Sequence, residues 1–367
     1  MKRIVLTGGG TAGHVMPNLA LLPQLRKNGW EILYIGSKDG MEQQLIREQQ
    51  IPYYTVATGK FRRYLSWQNL SDPFRVVKGV IESYKLLKKL RPDLVFSKGG
   101  FVSVPVTIGA WLNKIPVILH ESDLTPGLAN RIALPFASVI CTTFPETLKH
   151  LPPGKAVLTG NPIRAELLTG SKEKGLQICG FSADKPVILV IGGSLGSVKI
   201  NHLVRAILPD LLLKYQVAHI CGKGNVDPTL ARFKGYKQFE FLGAELPAVM
   251  AAADLCLSRA GANVLFELLA LKKPNLLIPL PKSSSRGDQI LNAQSFKQQN
   301  FSMLLYEEEI NEAVLKNAID TLYQNRHEYI KAMSESKLAD AGQEIIKIIE
   351  STAQASRGSR RPRKRNR

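Results

Sequence analysis

The chain is poor in cysteine. Its four, Cys141, Cys179, Cys221 and Cys256, lie far apart, with no Cys-x-x-Cys pair and no histidine at metal-ligand spacing, so neither a disulfide framework nor a cysteine-bound metal organises the fold. Buried, reduced thiols are expected. Long apolar runs are also missing: Val102 to Leu112 stops at Asn113-Lys114, short of the roughly 20 residues a membrane span needs. The first apolar run ends at Thr7 and turns to glycine, which predicts a cytosolic chain with no signal peptide. No Asp-x-Asp pair is present to hold a pyrophosphate-bridging metal, and no G-x-x-x-x-G-K-[ST] loop points to a P-loop ATPase.

Acidic residues are scarce, 30 against 49 Lys and Arg, for a net charge of +19. Such a surface attracts phosphorylated ligands, nucleic acid or an anionic membrane face. The last residues, SRGSRRPRKRNR, carry seven of those charges and no apolar side chain, which predicts a disordered tail over 351–367.

What the chain has in plenty is length and alternation. At 367 residues and 44% hydrophobic, it is long enough for two cores. RIVLTGGGTAGHVMPNLALLPQLRKNGWEILYIGSK reads as strand, glycine-rich turn, amphipathic helix and second strand. PVILVIGGSLGSVKINHLVRAILPDLLLKYQVAHICGKG repeats that plan. Further strands are expected at Leu94 to Phe96, Val117 to His120 and Val139 to Cys141, then at Phe239 to Phe241, Leu255 to Ser258, Leu276 to Ile278 and Met303 to Leu305. Helical segments alternate with them, so the expected fold class is α/β, with two Rossmann-like domains whose parallel sheets face a cleft. The expected domains are 1–163 and 164–350, the last helix packing back on the first, with Leu151 to Lys185 as the linker.

Ligands of open α/β sheets lie beyond the C-terminal strand ends. There the first half delivers Thr11-Ala12-Gly13-His14, Gly99-Gly100-Phe101 and His120-Glu121-Ser122-Asp123. The second delivers Gly192-Gly193-Ser194, Ser258-Arg259-Ala260-Gly261 and Arg286-Gly287-Asp288-Gln289. Glycine, serine and arginine at helix starts suit phosphate, because free N–H groups and the helix dipole converge there.

In order and spacing, GGGTAGHVMPNLA, KGGFVSVP, HESDLTPGLAN, TGNPIR, GGSLGS, SRAGANVLFELL and RGDQILNA resemble the MurG family. Its members move N-acetylglucosamine from UDP-N-acetylglucosamine to the muramoyl 4-hydroxyl of undecaprenyl-pyrophosphoryl-muramoyl-pentapeptide (lipid I), giving lipid II for peptidoglycan. The resemblance implies the glycosyltransferase B fold, inversion at the anomeric carbon, and no metal or cofactor. It implies that Thr11, Ala12, Gly13, Gly100 and Asn130 cradle the acceptor diphosphate. His14 becomes the candidate base, the alternative being a helix-capping histidine. Arg164, Ser194, Gly243, Arg259, Ala262, Asn263, Val264, Glu267 and Gln289 become the donor site, with Glu267 on the ribose and Gln289 on the sugar.

This chain departs from the family at Ser122-Asp123, usually Gln-Asn, at Phe101, usually Tyr, and at Val264, often Thr. Asp123 is thereby a second base candidate, or a group that orients a hydroxyl. Between Trp67 and Pro92, Phe74, Val77, Ile81 and Tyr84 recur at helical spacing among Arg75, Lys78, Lys85, Lys88 and Lys89. With the family's apolar patch, this implies peripheral attachment to the anionic cytoplasmic membrane face, with Trp111 extending the patch. No specific nucleic acid is expected, and divisome or cell-wall enzymes are left as further partners. Rival readings are another lipid glycosyltransferase, a UDP-sugar 2-epimerase, or a non-catalytic UDP-sugar-binding paralogue.

Overall fold

The structure, a computed structural model, describes residues 2–59, 68–193, 196–284 and 287–360. It divides into Met1–Pro162 with Asp340–Arg367, and Ile163–Ala339.

The first unit is a parallel sheet of β1 (Lys2–Thr7), β2 (Trp30–Gly36), β3 (Tyr53–Thr55), β4 (Leu94–Ser97), β5 (Val117–Glu121), β6 (Val139–Thr142) and β7 (Ala156–Leu158), in the order β3-β2-β1-β4-β5-β6-β7. Its helices are α1 (Ala12–Lys27), α2 (Met41–Glu48), α3 (Gln68–Leu90), α4 (Ser103–Leu112) and α5 (Leu128–Ala133). Apolar residues alternate across β1: Ile4 and Leu6 join Val15, Leu22 and Leu25 of α1 on one face, while Val5 joins Leu87 of α3 and Val106 of α4 on the other. Burial on both faces is why these strands read as continuous apolar runs. Helices α3 and α4 approach closely because glycines stand at the contact: a Cβ on Gly79 would lie 3.1 Å from Pro105 Cβ, and one on Gly109 2.8 Å from Ser83 Cβ.

The second unit repeats the order, as β10-β9-β8-β11-β12-β13, with β8 (Val187–Ile191), β9 (Gln216–Ile220), β10 (Tyr236–Phe239), β11 (Leu255–Ser258), β12 (Asn275–Leu277) and β13 (Met303–Leu304). Its helices are α6 (Lys172–Cys179), α7 (Val198–Ala206), α8 (Leu208–Lys214), α9 (Leu246–Ala252), α10 (Ala262–Ala270), α11 (Asp288–Gln298), α12 (Glu312–Gln324) and α13 (Arg326–Glu335). The chain then returns to the first unit as α14 (Ala341–Arg360), whose Ile345, Ile346, Ile349 and Ala353 pack with α1.

Three expectations are corrected. Residues 351–360 are helical, not disordered: Ala353 is buried, and Arg357 donates to Asp93 at 2.7 and 2.8 Å. The stretch expected as a linker contains β7, which pairs with β6, and α6, which ends in a left-handed Gly180. Strand β10 precedes its expected place because Tyr236, not Phe241, is the buried ring; Phe241 is 76% exposed. Both misreadings of position arise where burial comes from distant elements, which local pattern cannot register.

Candidate active site

In the first unit, β1 runs into α1 through Gly8 to Thr11, and Gly8, Gly10 and Gly13 fall at G-x-G-x-x-G spacing. That spacing alone does not separate a dinucleotide from any other diphosphate. Buried Asn18 and Tyr34 fix the turn. The Tyr34 hydroxyl donates to the Gly8 carbonyl at 2.5 Å, and Asn18 Nδ2 donates to the Thr7 carbonyl at 3.3 Å. Glu42, fully buried, accepts from Gly10 N at 3.3 Å and Ser37 N at 3.1 Å. A Cβ on Gly9 would sit 2.6 Å from that carboxylate, so a side chain there would have to displace Glu42. Gly100 has φ +82°, and its Cβ would lie 2.4 Å from the Gly9 carbonyl oxygen. The two glycine turns are therefore in main-chain contact. Thr11 makes no side-chain cap, which leaves the first amides of α1 unpartnered within the helix.

His14 stands in the first turn of α1 with Nδ1 3.2 Å from the carbonyl oxygen of Lys98. A carbonyl can only accept, so the ring proton is on Nδ1 and Nε2 keeps its lone pair. Burial, and then the Lys98 charge, push its pKa down to about 4, so an ordinary value near 6.5 does not hold. The imidazole is neutral across the physiological range.

Asp123 lies in the loop after β5, where its N–H donates to Glu121 Oε1 at 2.9 Å. Glu121 also accepts from Asn130 Nδ2 at 2.8 Å and Gly127 N at 3.1 Å, so it folds the loop that carries both Asp123 and Asn130. Asn130 is buried, with its Oδ1 facing the place a Gly99 side chain would occupy, 2.8 Å away.

In the second unit, β8 meets α7 through Gly192 to Ser197. Ser194 lies outside the described residues. Ser197 caps α7 by accepting from Ile200 N at 3.4 Å. Arg259, directly after β11 and 7% exposed, points inward: it donates to Ser197 Oγ at 2.7 Å and to the carbonyls of Ile278 and Pro279 at 3.0 and 3.2 Å, and pairs with Glu307 at 2.5 Å. Gln289 Oε1 accepts from Ala260 N at 3.3 Å and Leu280 N at 3.1 Å, tying two strand-end loops together. Helix α10 starts at Ala262, directly after Gly261, which has no side chain to cap it. Glu267, on the same helix, pairs with Arg164 at 3.3 Å. Burial raises its pKa, and Arg164 opposes the rise. Gly243 is exposed beside the Phe241 ring.

Residues 4–142 match the glycosyltransferase family 28 N-terminal domain, and 187–348 match its C-terminal domain. The chain belongs to glycosyltransferase family 28. A family relative from Clostridium botulinum is 56% identical over 349 residues, covering 95% of this chain and 99% of its own. One from Geobacillus thermodenitrificans is 57% identical over 353 residues, covering 96% and 99%. Both are named UDP-N-acetylglucosamine--N-acetylmuramyl-(pentapeptide) pyrophosphoryl-undecaprenol N-acetylglucosamine transferase. The crystal structure of Acinetobacter baumannii MurG matches with a TM-score of 0.76 at 26% identity, covering 96% of this chain and all of that one. A UDP-GlcNAc 2-epimerase from Methanocaldococcus jannaschii, at TM-score 0.63 and 15% identity, shares the fold alone. This family 28 chain has the two parallel-sheet α/β units of the glycosyltransferase B fold.

Lys98, Asn18 and Ser197 lie inside the motifs KGGFVSVP, GGGTAGHVMPNLA and GGSLGS without a role assigned to them from sequence, and Glu42 lies outside every motif. Lys98 had one available signal: SKGG and SRAG stand at the same place in the two repeated halves, so the lysine is the counterpart of Arg259.

Proposed function

We propose that this chain transfers N-acetylglucosamine from UDP-N-acetylglucosamine to the 4-hydroxyl of the muramoyl sugar of lipid I, with inversion, giving lipid II. The observation that carries the reading is the His14 ring, neutral at physiological pH and bare at Nε2, on a turn whose Gly10 faces open space. The acceptor O4–H gives its proton to Nε2, the new O4–C1 bond forms, and the C1–O bond to the β-phosphate breaks as UDP leaves with the electron pair. Thr11, Ala12, Gly13, Gly100 and Asn130 shape the acceptor diphosphate cradle. Asp123 orients a hydroxyl rather than taking the proton, since its charge already acts on the buried Lys98 ammonium.

Glu267 accepts from the ribose hydroxyls, and Arg164 exchanges that carboxylate for the donor pyrophosphate. The amides at the starts of α7 and α10, including those of Asn263 and Val264 after Ala262, receive the departing charge. Ser194 and Gln289 hold phosphate and sugar, and Gly243 meets the uracil. Arg259 serves this site from behind, by fixing Ser197.

The chain reaches its lipid substrate as a peripheral protein on the cytoplasmic membrane face. Phe74, Val77 and Ile81 are 78%, 59% and 51% exposed along one face of α3, among exposed Arg75, Lys78, Lys85, Lys88 and Lys89. Trp111, 53% exposed, edges onto Phe136 at the end of α4. No described helix is long and apolar enough to cross a membrane. A stripe of this kind inserts to headgroup depth while lysines engage anionic lipid.

Labelled donor incubated with a short-chain lipid-linked muramoyl-pentapeptide should give the β-linked disaccharide. Epimerised donor without acceptor, or no disaccharide under any condition, would overturn the reading.

A further inference from the structure

Lys98 follows β4 directly and is 1% exposed. Its side chain meets three groups: His120 Nδ1 at 2.6 Å, Asn161 Oδ1 at 3.0 Å and the Ser122 hydroxyl oxygen. His120 Nε2 lies 2.9 Å from the Gly160 carbonyl, so its proton is on Nε2, and Nδ1 turns a lone pair to the lysine. All three partners can accept. An ammonium has three protons to give, whereas a neutral amine would set its own lone pair against one of them. Burial pushes the lysine pKa down, and the charges of Glu121 and Asp123 oppose that. From its main chain, the same residue offers His14 the carbonyl that fixes its tautomer.

We propose that Lys98 is the positioning residue of the first glycine turn: its carbonyl places the His14 proton on Nδ1, and its ammonium, held by His120, Asn161 and Ser122, sets a fixed positive charge on the same residue. The value of this to catalysis rests on the reading of His14 as the base. A bare Nε2 must be ready when acceptor arrives, and a fixed charge on the residue that holds the ring secures that without touching substrate. The groups bearing on the pair are few and belong to known elements. Lys98 follows β4; His120 and Glu121 end β5, with Asp123 in the loop after it; Cys141 lies on β6; and Glu42, on α2, is engaged with Gly10 and Ser37. The second unit supports the assignment independently, since Arg259 occupies the same topological position and holds the cap of the equivalent turn.

The test is ring-nitrogen NMR on the full ¹⁵N-labelled chain, with the His14 signals assigned by their loss in His14→Gln. The unsubstituted protein should show a protonated Nδ1, a bare Nε2 and no titration between about pH 5.5 and 8. Lys98→Met should keep the tautomer, because the carbonyl remains, while the titration midpoint rises by about one pH unit. The acid limb of kcat should move the same way, with the donor KM unchanged. A residue that merely fills space would alter neither midpoint nor limb in this manner. An Nε2-protonated ring, a midpoint near 6.5 in the unsubstituted protein, or an unmoved midpoint in Lys98→Met would each overturn the proposal. Should Lys98→Met fail to fold, the unsubstituted spectrum still decides. Failure of the base reading looks different: His14→Ala would keep its turnover within a few-fold while the NMR result stood.

Discussion

Each of the two units places a buried cation at the same point of its own sheet. Lys98 and Arg259 each follow the strand beside the first, and each main-chain N–H donates back to that first strand: Lys98 to Thr7 at 2.9 Å, Arg259 to Ile191 at 3.4 Å. The heads diverge. Lys98 reaches toward β5 and beyond, to His120 and Asn161, while its carbonyl holds a histidine. Arg259 reaches forward to Ser197, the cap of α7, and its charge lies behind a helix start. One position in a repeated fold thus serves a proton acceptor in one unit and an anion-binding turn in the other.

The difference is broken most severely at the histidine. His14→Ala should lower kcat by about 10²- to 10⁴-fold, the range of a lost general base, with UDP affinity unchanged by titration calorimetry. Glu267→Ala should do the reverse. Donor affinity falls about 10- to 100-fold, as for lost hydrogen bonds to a charged group worth about 1.5–3 kcal/mol, while kcat falls less. Similar losses of donor affinity in both variants would erase the division of labour between the units.

Arg164→Leu sharpens the same comparison through pH. Burial holds Glu267 above the ordinary carboxylate range, and Arg164 pulls it back. A carboxyl raised by folding favours its protonated form, so its contribution to stability shrinks as pH climbs from the unfolded value through the folded one, while its capacity to accept ribose hydroxyls grows. Without Arg164 the folded value climbs further. Donor binding should then weaken by roughly three- to tenfold near neutrality, and its acid limb should move to higher pH in a calorimetric series.

Much of this was legible beforehand, for identifiable reasons. The doubled βαβ plan could be read because strands buried on both faces are apolar throughout and their glycine turns are nearly obligatory: a Cβ on Gly196, for example, would come within 2.0 Å of the Cys221 carbonyl oxygen. The exposed stripe Phe74, Val77, Ile81 could be read because helical spacing is local. What could not be read depends on contacts made far away in sequence. Arg259 looks like a surface-seeking arginine until Ser197, Ile278 and Glu307 are brought around it. The His14 proton position requires a carbonyl 84 residues distant, and the helicity of 351–360 requires Asp93 and the face of α1.

The apolar face distinguishes the units as well, since the exposed hydrophobics of the second, such as Leu168, Val198, Leu213 and Phe241, are scattered rather than set at one helical spacing. Replacing Phe74, Val77 and Ile81 together by serine should reduce binding to anionic vesicles by about 100-fold or a little more. Partial insertion of each is worth about 1 kcal/mol, below the roughly 1.5–3 kcal/mol of full burial. Activity on a short-chain, dispersed acceptor should be spared.

The smallest effects test how deep the repeat runs. Just before β4, Asp93 accepts from Arg3 N at 2.8 Å; just before β11, Asp254 accepts from Val187 N at 2.8 Å. Each aspartate thus satisfies the amide that opens its first strand, and each also holds a basic side chain, Arg357 or Lys172. Removing either aspartate strands a part-buried amide, at about 1–3 kcal/mol. Removing either basic partner breaks only an ion pair whose cation is 44% or 55% exposed, worth at most about 1 kcal/mol after screening. Chemical denaturation of Asp93→Ala, Asp254→Ala, Arg357→Ala and Lys172→Ala should therefore sort by residue type, aspartates above cations, and not by unit. If Arg357→Ala instead costs as much as Asp93→Ala, the ion pair itself holds α14 in place, and the likeness between the two strand openings is one of geometry without shared energetics.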